Sequence, residues 1–131
     1  MAEADKTEKI TINVGYVDLG QIDLLVREGF YANRTDFIRT AIRNQLATAA
    51  PAVSQTVARR TLALGTETWT RQRLEAERAV GRTVQIRVLG LAVITEDVAP
   101  ELALATIESV EVLGALRASA AVKSALASRI V

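Results

Sequence analysis

Three sets of side chains in this sequence have types and spacings that could do chemistry. Lys9, Thr11 and Asn13 alternate with Ile10, Ile12 and Val14, which puts hydrogen-bonding groups on one face of an extended segment and apolar groups on the other. Asn33 and Arg34 precede the helical stripe Phe37, Ile38, Ala41, Ile42 and Leu46; Asn33 is a good N-cap there, and Asp36 suits the helix's positive end. The third set comprises Glu96/Asp97, Glu108/Glu111 and Ser119/Lys123. These have the residue types of acid–base or nucleophilic pairs but no metal ligand, partner acid or activating base nearby. Taken alone, each set also has a plain structural reading. The first is a solvated sheet face and the second a helix cap. Arg39 and Arg43, four apart, make a solvated or salt-bridged helix face.

Composition removes whole classes of function. Among the 131 residues there is no cysteine and no histidine, which excludes disulfides, thiolate or imidazole metal sites, Ser–His chemistry and histidine pH switching. The sequence predicts no enzyme, no cofactor and no metal. Half the residues are hydrophobic, enough for a packed core. Met1 to Lys9 is polar and mixed in charge, unlike a secretory signal, and the apolar run Val84 to Ile94 is too short for a membrane span and contains Arg87. The expectation is a cytoplasmic protein with no membrane partner. Sixteen basic against fifteen acidic residues leave a net charge of +1, so any binding to DNA must come from local placement of a few groups.

The elements that must hold those groups divide near residue 50. Lys9 to Val14 reads as a half-buried strand, and Val17 to Glu28 as a helix with Leu19, Ile22, Leu25 and Val26 on one face. Gly29 suits a left-handed cap, with Phe30 packing back on that helix. A second helix is predicted from Asn33 to about Ala47, since Pro51 biases Ala50 away from helix. One strand and two short helices make an incomplete core, and the economical solution is a symmetric dimer whose two strands pair antiparallel under four helices. The predicted organisation is a flexible arm over 1–8, a dimerisation domain over 9–48, a linker over 49–58 and a second domain over 59–131.

This N-terminal third resembles the ribbon-helix-helix DNA-binding proteins of the CopG/Arc-like class. The resemblance is carried by Lys9-Ile-Thr-Ile-Asn-Val14 and, more specifically, by the glycine turn and second helix Glu28-Gly-Phe-Tyr-Ala-Asn-Arg-Thr-Asp-Phe-Ile-Arg-Thr-Ala-Ile-Arg43. It implies an intertwined dimer with an antiparallel two-stranded ribbon that enters the major groove. The resemblance assigns base contacts to Lys9, Thr11 and Asn13, whose side chains suit guanine, thymine and adenine edges. It assigns phosphate contacts to Asn33 and Arg34 at the start of the second helix. Gly15 departs from the family's usual residue after the strand.

The rest of the chain carries an internal repeat. Ile86-Arg-Val-Leu-Gly-Leu91 and Val110-Glu-Val-Leu-Gly-Ala115 superpose at an offset of 24, and Val98, Leu102 and Ala103 continue the register onto Val122, Leu126 and Ala127. Each copy reads as a strand, a turn and a short helix. Arg60 to Leu64 suits a further strand, and Thr70 to Val80, stopped by Gly81, a helix. The fold class expected for the whole is α+β. The function expected is a sequence-specific transcriptional regulator, read as a repressor. Its partners are double-stranded DNA and itself, as a homodimer or, through the C-terminal half, a tetramer or larger. Two alternatives stay open: an antitoxin or plasmid-partition protein whose C-terminal half binds a protein partner, and a structural scaffold that uses the N-terminal module only to dimerise.

Overall fold

In the computed structural model the described residues are 7–131, and they form two compact units, Thr7–Thr56 and Val57–Val131. The first unit begins with residues 7–15, which form neither helix nor strand and are exposed throughout. Helix α1 spans Tyr16–Arg27 and helix α2 spans Arg34–Arg60, so α2 continues past Thr56 into the second unit's residues. The second unit alternates strand and helix: β1 Ala63–Trp69, α3 Arg71–Ala79, β2 Val84–Ile94, α4 Pro100–Thr106, β3 Ile107–Arg117 and α5 Ala120–Ala125, then a 3₁₀ turn over Ala127–Arg129. The 1–8 arm expected from the sequence lies mostly outside the described residues.

The expected antiparallel two-stranded ribbon is not the sheet of this protein. Its sheet has three strands in the order β1-β2-β3, all parallel, and none of them includes Lys9 to Val14. The physical reason is pairing. A strand persists by bonding its N–H and C=O groups to a neighbour, and among the described residues this segment pairs with no strand. With Ile10 75% exposed, no buried face selects its two-residue alternation.

Local chemistry explains the helix ends. Gly15 caps α1 with an extended backbone (φ −62°, ψ 154°) and no side-chain bond. At the other end the N–H of Gly29 donates to the Val26 carbonyl (3.1 Å) and the N–H of Phe30 to that of Leu25 (3.0 Å). With Gly29 at φ 85°, this is a Schellman arrangement, one form of the left-handed cap the glycine was expected to make. The Phe30 ring, however, is 71% exposed, and it is Tyr31 that packs edge-on against Phe37, with ring centroids 5.0 Å apart. Helix α2 does not stop near Ala47 but carries Pro51 inside it. An internal proline costs about 3 kcal/mol. Alanines at 47, 49, 50 and 52, the strongest helix formers, surround it and offset part of that cost.

In the second unit the 24-residue repeat becomes physical register. Ile86 pairs with Val110, Arg87 with Glu111, Leu89 with Leu113 and Gly90 with Gly114. One rung further, Leu64 pairs with Leu89 and Gly65 with Gly90, so there are three rungs, not two. Parallel strands need crossover connections, and the short helices supply them. Leu74 of α3, Leu102 and Ala103 of α4, and Val122 of α5 meet Ile86, Val88, Ala92, Ile94, Ile107 and Val110 of the sheet in one core. Thr70 and Ser119 cap α3 and α5, accepting bonds from the N–H groups of Arg73 (3.1 Å) and Val122 (3.2 Å). On charged positions the repeat sets Arg87 across from Glu111 at 3.4 Å, and Arg60 pairs with the same carboxylate.

All three stacked positions use glycine's backbone freedom, and two of them also need its missing side chain. Gly65, Gly90 and Gly114 have φ of 120°, 138° and 121°. A Cβ on Gly90 would lie 2.2 Å from the Gly65 carbonyl oxygen, and one on Gly114 would lie 2.1 Å from that of Gly90. A Cβ on Gly65 would meet nothing within 4 Å. Gly65→Ala is therefore expected to cost only backbone strain, about 1–3 kcal/mol. Gly114→Ala adds a main-chain clash of about 1–3 kcal/mol more. Urea unfolding of the two variants should rank Gly114→Ala as clearly the less stable.

Candidate nucleic-acid interface

The turn between α1 and α2 is fixed by two reciprocal bonds. Asn33 Oδ1 accepts from the N–H of Asp36 (2.8 Å), and Asp36 Oδ2 accepts from the N–H of Ala32 (2.9 Å). This is a variant of the capping box, in which the acidic side chain reaches back across the helix start. Asn33 is thus the N-cap that its position promised. The N–H groups of Arg34 and Thr35 find no acceptor among the described residues, as befits the first turn of a helix.

Arg34 does something the linear sequence did not signal. Its Nε and one terminal nitrogen donate to the two carboxylate oxygens of Asp23 at 2.7 and 2.8 Å, an ion pair from α2 back to α1. Planar fork-to-carboxylate geometry makes this the strongest kind of exposed pair. The Arg34 bonds and charge hold the Asp23 carboxyl below its ordinary value of 3.8, and the carboxylate in turn raises Arg34. Two of the five guanidinium N–H donors are so engaged, leaving three for other acceptors.

Arg39 and Arg43 fall one and two helical turns beyond Thr35 on the same row. Together with Ala32, Asn33, Thr35 and Asp36 they line an open concavity at the start of α2. The i, i+4 spacing of these arginines was legible in the sequence, but their association with the capped helix start was not. Lys9, Thr11 and Asn13 lie in the exposed segment ahead of α1. No contact joins them to Asn33 or Arg34 among the interactions of the described residues.

The remaining candidate pairs are absorbed by structure. The Ser119 hydroxyl caps α5, Glu108 accepts from Thr83 (3.4 Å) and Gln85 (3.3 Å), Glu111 is paired with two arginines, and Asp97 bonds Thr95. Among the described residues no group of three or more acidic side chains could hold a metal ion, and no helix is long and apolar enough to cross a membrane.

A model of the ribbon-helix-helix transcriptional regulator family matches residues 5–123. The chain belongs to that family. As a member it is a DNA-binding transcriptional regulator, and the match corrects the reading of the sequence in extent. It does not end at Leu46 but takes in all three strands and the helices between them. The strand–helix unit therefore belongs to the family pattern. Comparison with curated proteins and with solved structures found no match.

The Asp23–Arg34 pair carries a pH dependence whose sign is fixed. Because the folded-state Asp23 value is depressed, its stabilisation of the α1–α2 turn is present above the unfolded carboxylate value and is lost as pH falls through the lower folded value. The protection of the Asp36 and Phe37 amides, which donate to Asn33, is expected to fall over that acid window once the intrinsic pH dependence of exchange is divided out. Asp23→Asn should remove the step; a step that survives the substitution belongs to another group.

Proposed function

We propose that this protein is a sequence-specific transcriptional repressor that binds DNA as a homodimer. Lys9, Thr11 and Asn13 of each copy contact base edges in the major groove, and the start of α2 anchors a phosphate. The observation that carries the reading is that not one residue of Thr7–Thr56 is buried. Ile12, Val14, Leu24, Phe30, Ile42 and Leu46 are all exposed in the single chain. Folded domains do not leave that much contiguous sequence without a core, and an exposed apolar set of this size marks an interaction surface. A second copy supplies the missing half of the core. It also doubles a small set of polar contacts.

The chemistry of the proposed contacts is consistent with a nearly neutral chain. Lys donates to guanine O6 or N7, Asn pairs with adenine, and Thr offers a hydroxyl and a methyl. The unpaired N–H groups of Arg34 and Thr35 and the capped Asn33 suit a phosphate without demanding net charge. Arg34's remaining donors and the nearby Arg39 and Arg43 add to it. On this reading the C-terminal unit joins dimers into larger assemblies.

Binding to fragments of the protein's own upstream region, followed across salt, tests the reading. Thr11→Ala with Asn13→Ala is expected to erase sequence preference and to leave the dimer intact. Each bidentate pairing with a base supplies about 1–3 kcal/mol of that preference. Arg34→Ala should weaken all sequences alike and lower the salt slope by about one. Unchanged preference in the double variant rejects the base contacts. A chain that is monomeric at tens of micromolar rejects the dimer.

A further inference from the structure

The three-rung sheet is open at both ends, and the two ends differ in shape. Along β1 the outer edge has no strand partner among the described residues. At its centre Gly65 has φ 120° and empty space where a Cβ would stand. In the other two rungs that same space is filled by the carbonyl oxygen of the preceding rung's glycine, at 2.2 Å for Gly90 and 2.1 Å for Gly114. The β1 edge thus presents a socket without its carbonyl. Along β3 the outer edge is bonded only where it begins: Ile130 bridges to Val110, and the N–H of Val131 donates to the Val110 carbonyl at 2.9 Å. From Val112 to Leu116 the edge has no strand partner among the described residues.

We propose that β3 of one copy receives β1 of a second copy in parallel, as a fourth rung continuing the same register. Extending that register sets Ala63 of the incoming strand against Val112, Leu64 against Leu113 and Gly65 against Gly114. The Gly114 carbonyl then fills the vacant socket of Gly65. Incoming pairing starts at Val112, just beyond the part of the edge that the chain's own end occupies. Leu64, 72% exposed, and Leu113, 46% exposed, extend the leucine row that Leu89 already occupies between them. A strand with a side chain at the glycine position would clash with the carbonyl, whereas β1 of a second copy has Gly65 there and continues the register already built between β1, β2 and β3.

This contact joins unlike surfaces, so it does not close on itself as a two-fold interface does. It specifies how the assembly proposed above would be built and rests on that reading, but not on DNA binding. The test uses the full-length chain in sedimentation velocity from about one to one hundred micromolar, judged against the dimer mass. Wild type should form species larger than the dimer, increasing with concentration. Leu64→Glu alters only the β1 edge and Leu113→Glu only the β3 edge, both at exposed positions that the single fold tolerates. Each variant alone should remain dimeric. Their equal mixture should regain the larger species, because one variant contributes an intact β1 edge and the other an intact β3 edge. Gly65→Ala, checked for native circular dichroism, should behave like Leu64→Glu. A wild type that never exceeds a dimer rejects C-terminal assembly altogether. Larger species that persist in both single variants, or a mixture that stays dimeric, reject this edge pairing and leave assembly by another surface standing.

Discussion

The contact between the main chains of Gly65, Gly90 and Gly114 governs the second unit. A carbonyl oxygen sits within 2.2 Å of where a side chain would begin on the next rung, and this is attainable only with glycine at positive φ. Once the glycines stack, everything in register with them is fixed. Ile86 and Val110 face the helices together, Arg87 meets Glu111 on the opposite face, and the leucines at 64, 89 and 113 form a row. A slip of one residue would turn the whole apolar set to the wrong face. The near-equal spacing of the glycines is thus a constraint on packing, and the short crossover helices take their length from it.

The two units meet the problem of burial in opposite ways. Residues 57–131 close a core of aliphatic side chains around Trp69 and Leu74, with Arg73 stacked 3.6 Å over the Trp69 ring. Thr7–Thr56 has no fully buried residue, and holds its shape through main-chain bonds at the glycine turn and side-chain bonds at the Asn33 cap and the Asp23–Arg34 fork. Polar bonds of this kind fix geometry at a net gain of only about 1 kcal/mol each. They cannot replace a core. A turn made rigid beside an uncovered apolar surface is suited to receiving a partner with little rearrangement.

What was legible in the sequence follows from how local each cause is. Helix α1, its Schellman end and the Asn33 cap depend on a few adjacent residues, and Gly29 and Asn33 announce them. The repeat was legible at 86–91 and 110–115 because six positions align, and the structure turns that alignment into register. The third rung escaped because Ala63-Leu-Gly65 shares only two identical residues with Val88-Leu-Gly90 and stands 25, not 24, residues away. The continuation of α2 through Pro51 escaped for a different reason: the local rule against internal proline is a finite cost, part of which the alanines around it offset. Strand pairing is the least local cause of all. The alternation Lys9 to Val14 states which faces differ, but a strand also needs a neighbour, and the parallel sheet formed elsewhere. The Asp23–Arg34 pair, eleven residues apart across a turn, has no sequence signature.

Electrostatics connects the two proposals. The chain has nearly equal numbers of acidic and basic residues, and in the N-terminal unit one of the few cations, Arg34, already has a carboxylate on its fork. A protein so built cannot gain much affinity from releasing counterions, since that gain scales with the number of phosphates neutralised. Affinity per dimer must then come from a few directed hydrogen bonds. These discriminate well but individually bind weakly. Linking dimers changes the balance without adding charge, because a second dimer held beside the first engages adjacent DNA at a raised effective concentration. Weak, selective contacts at one end of the chain are most useful when the other end multiplies them. A stack of rungs open at both edges is a structure able to do so.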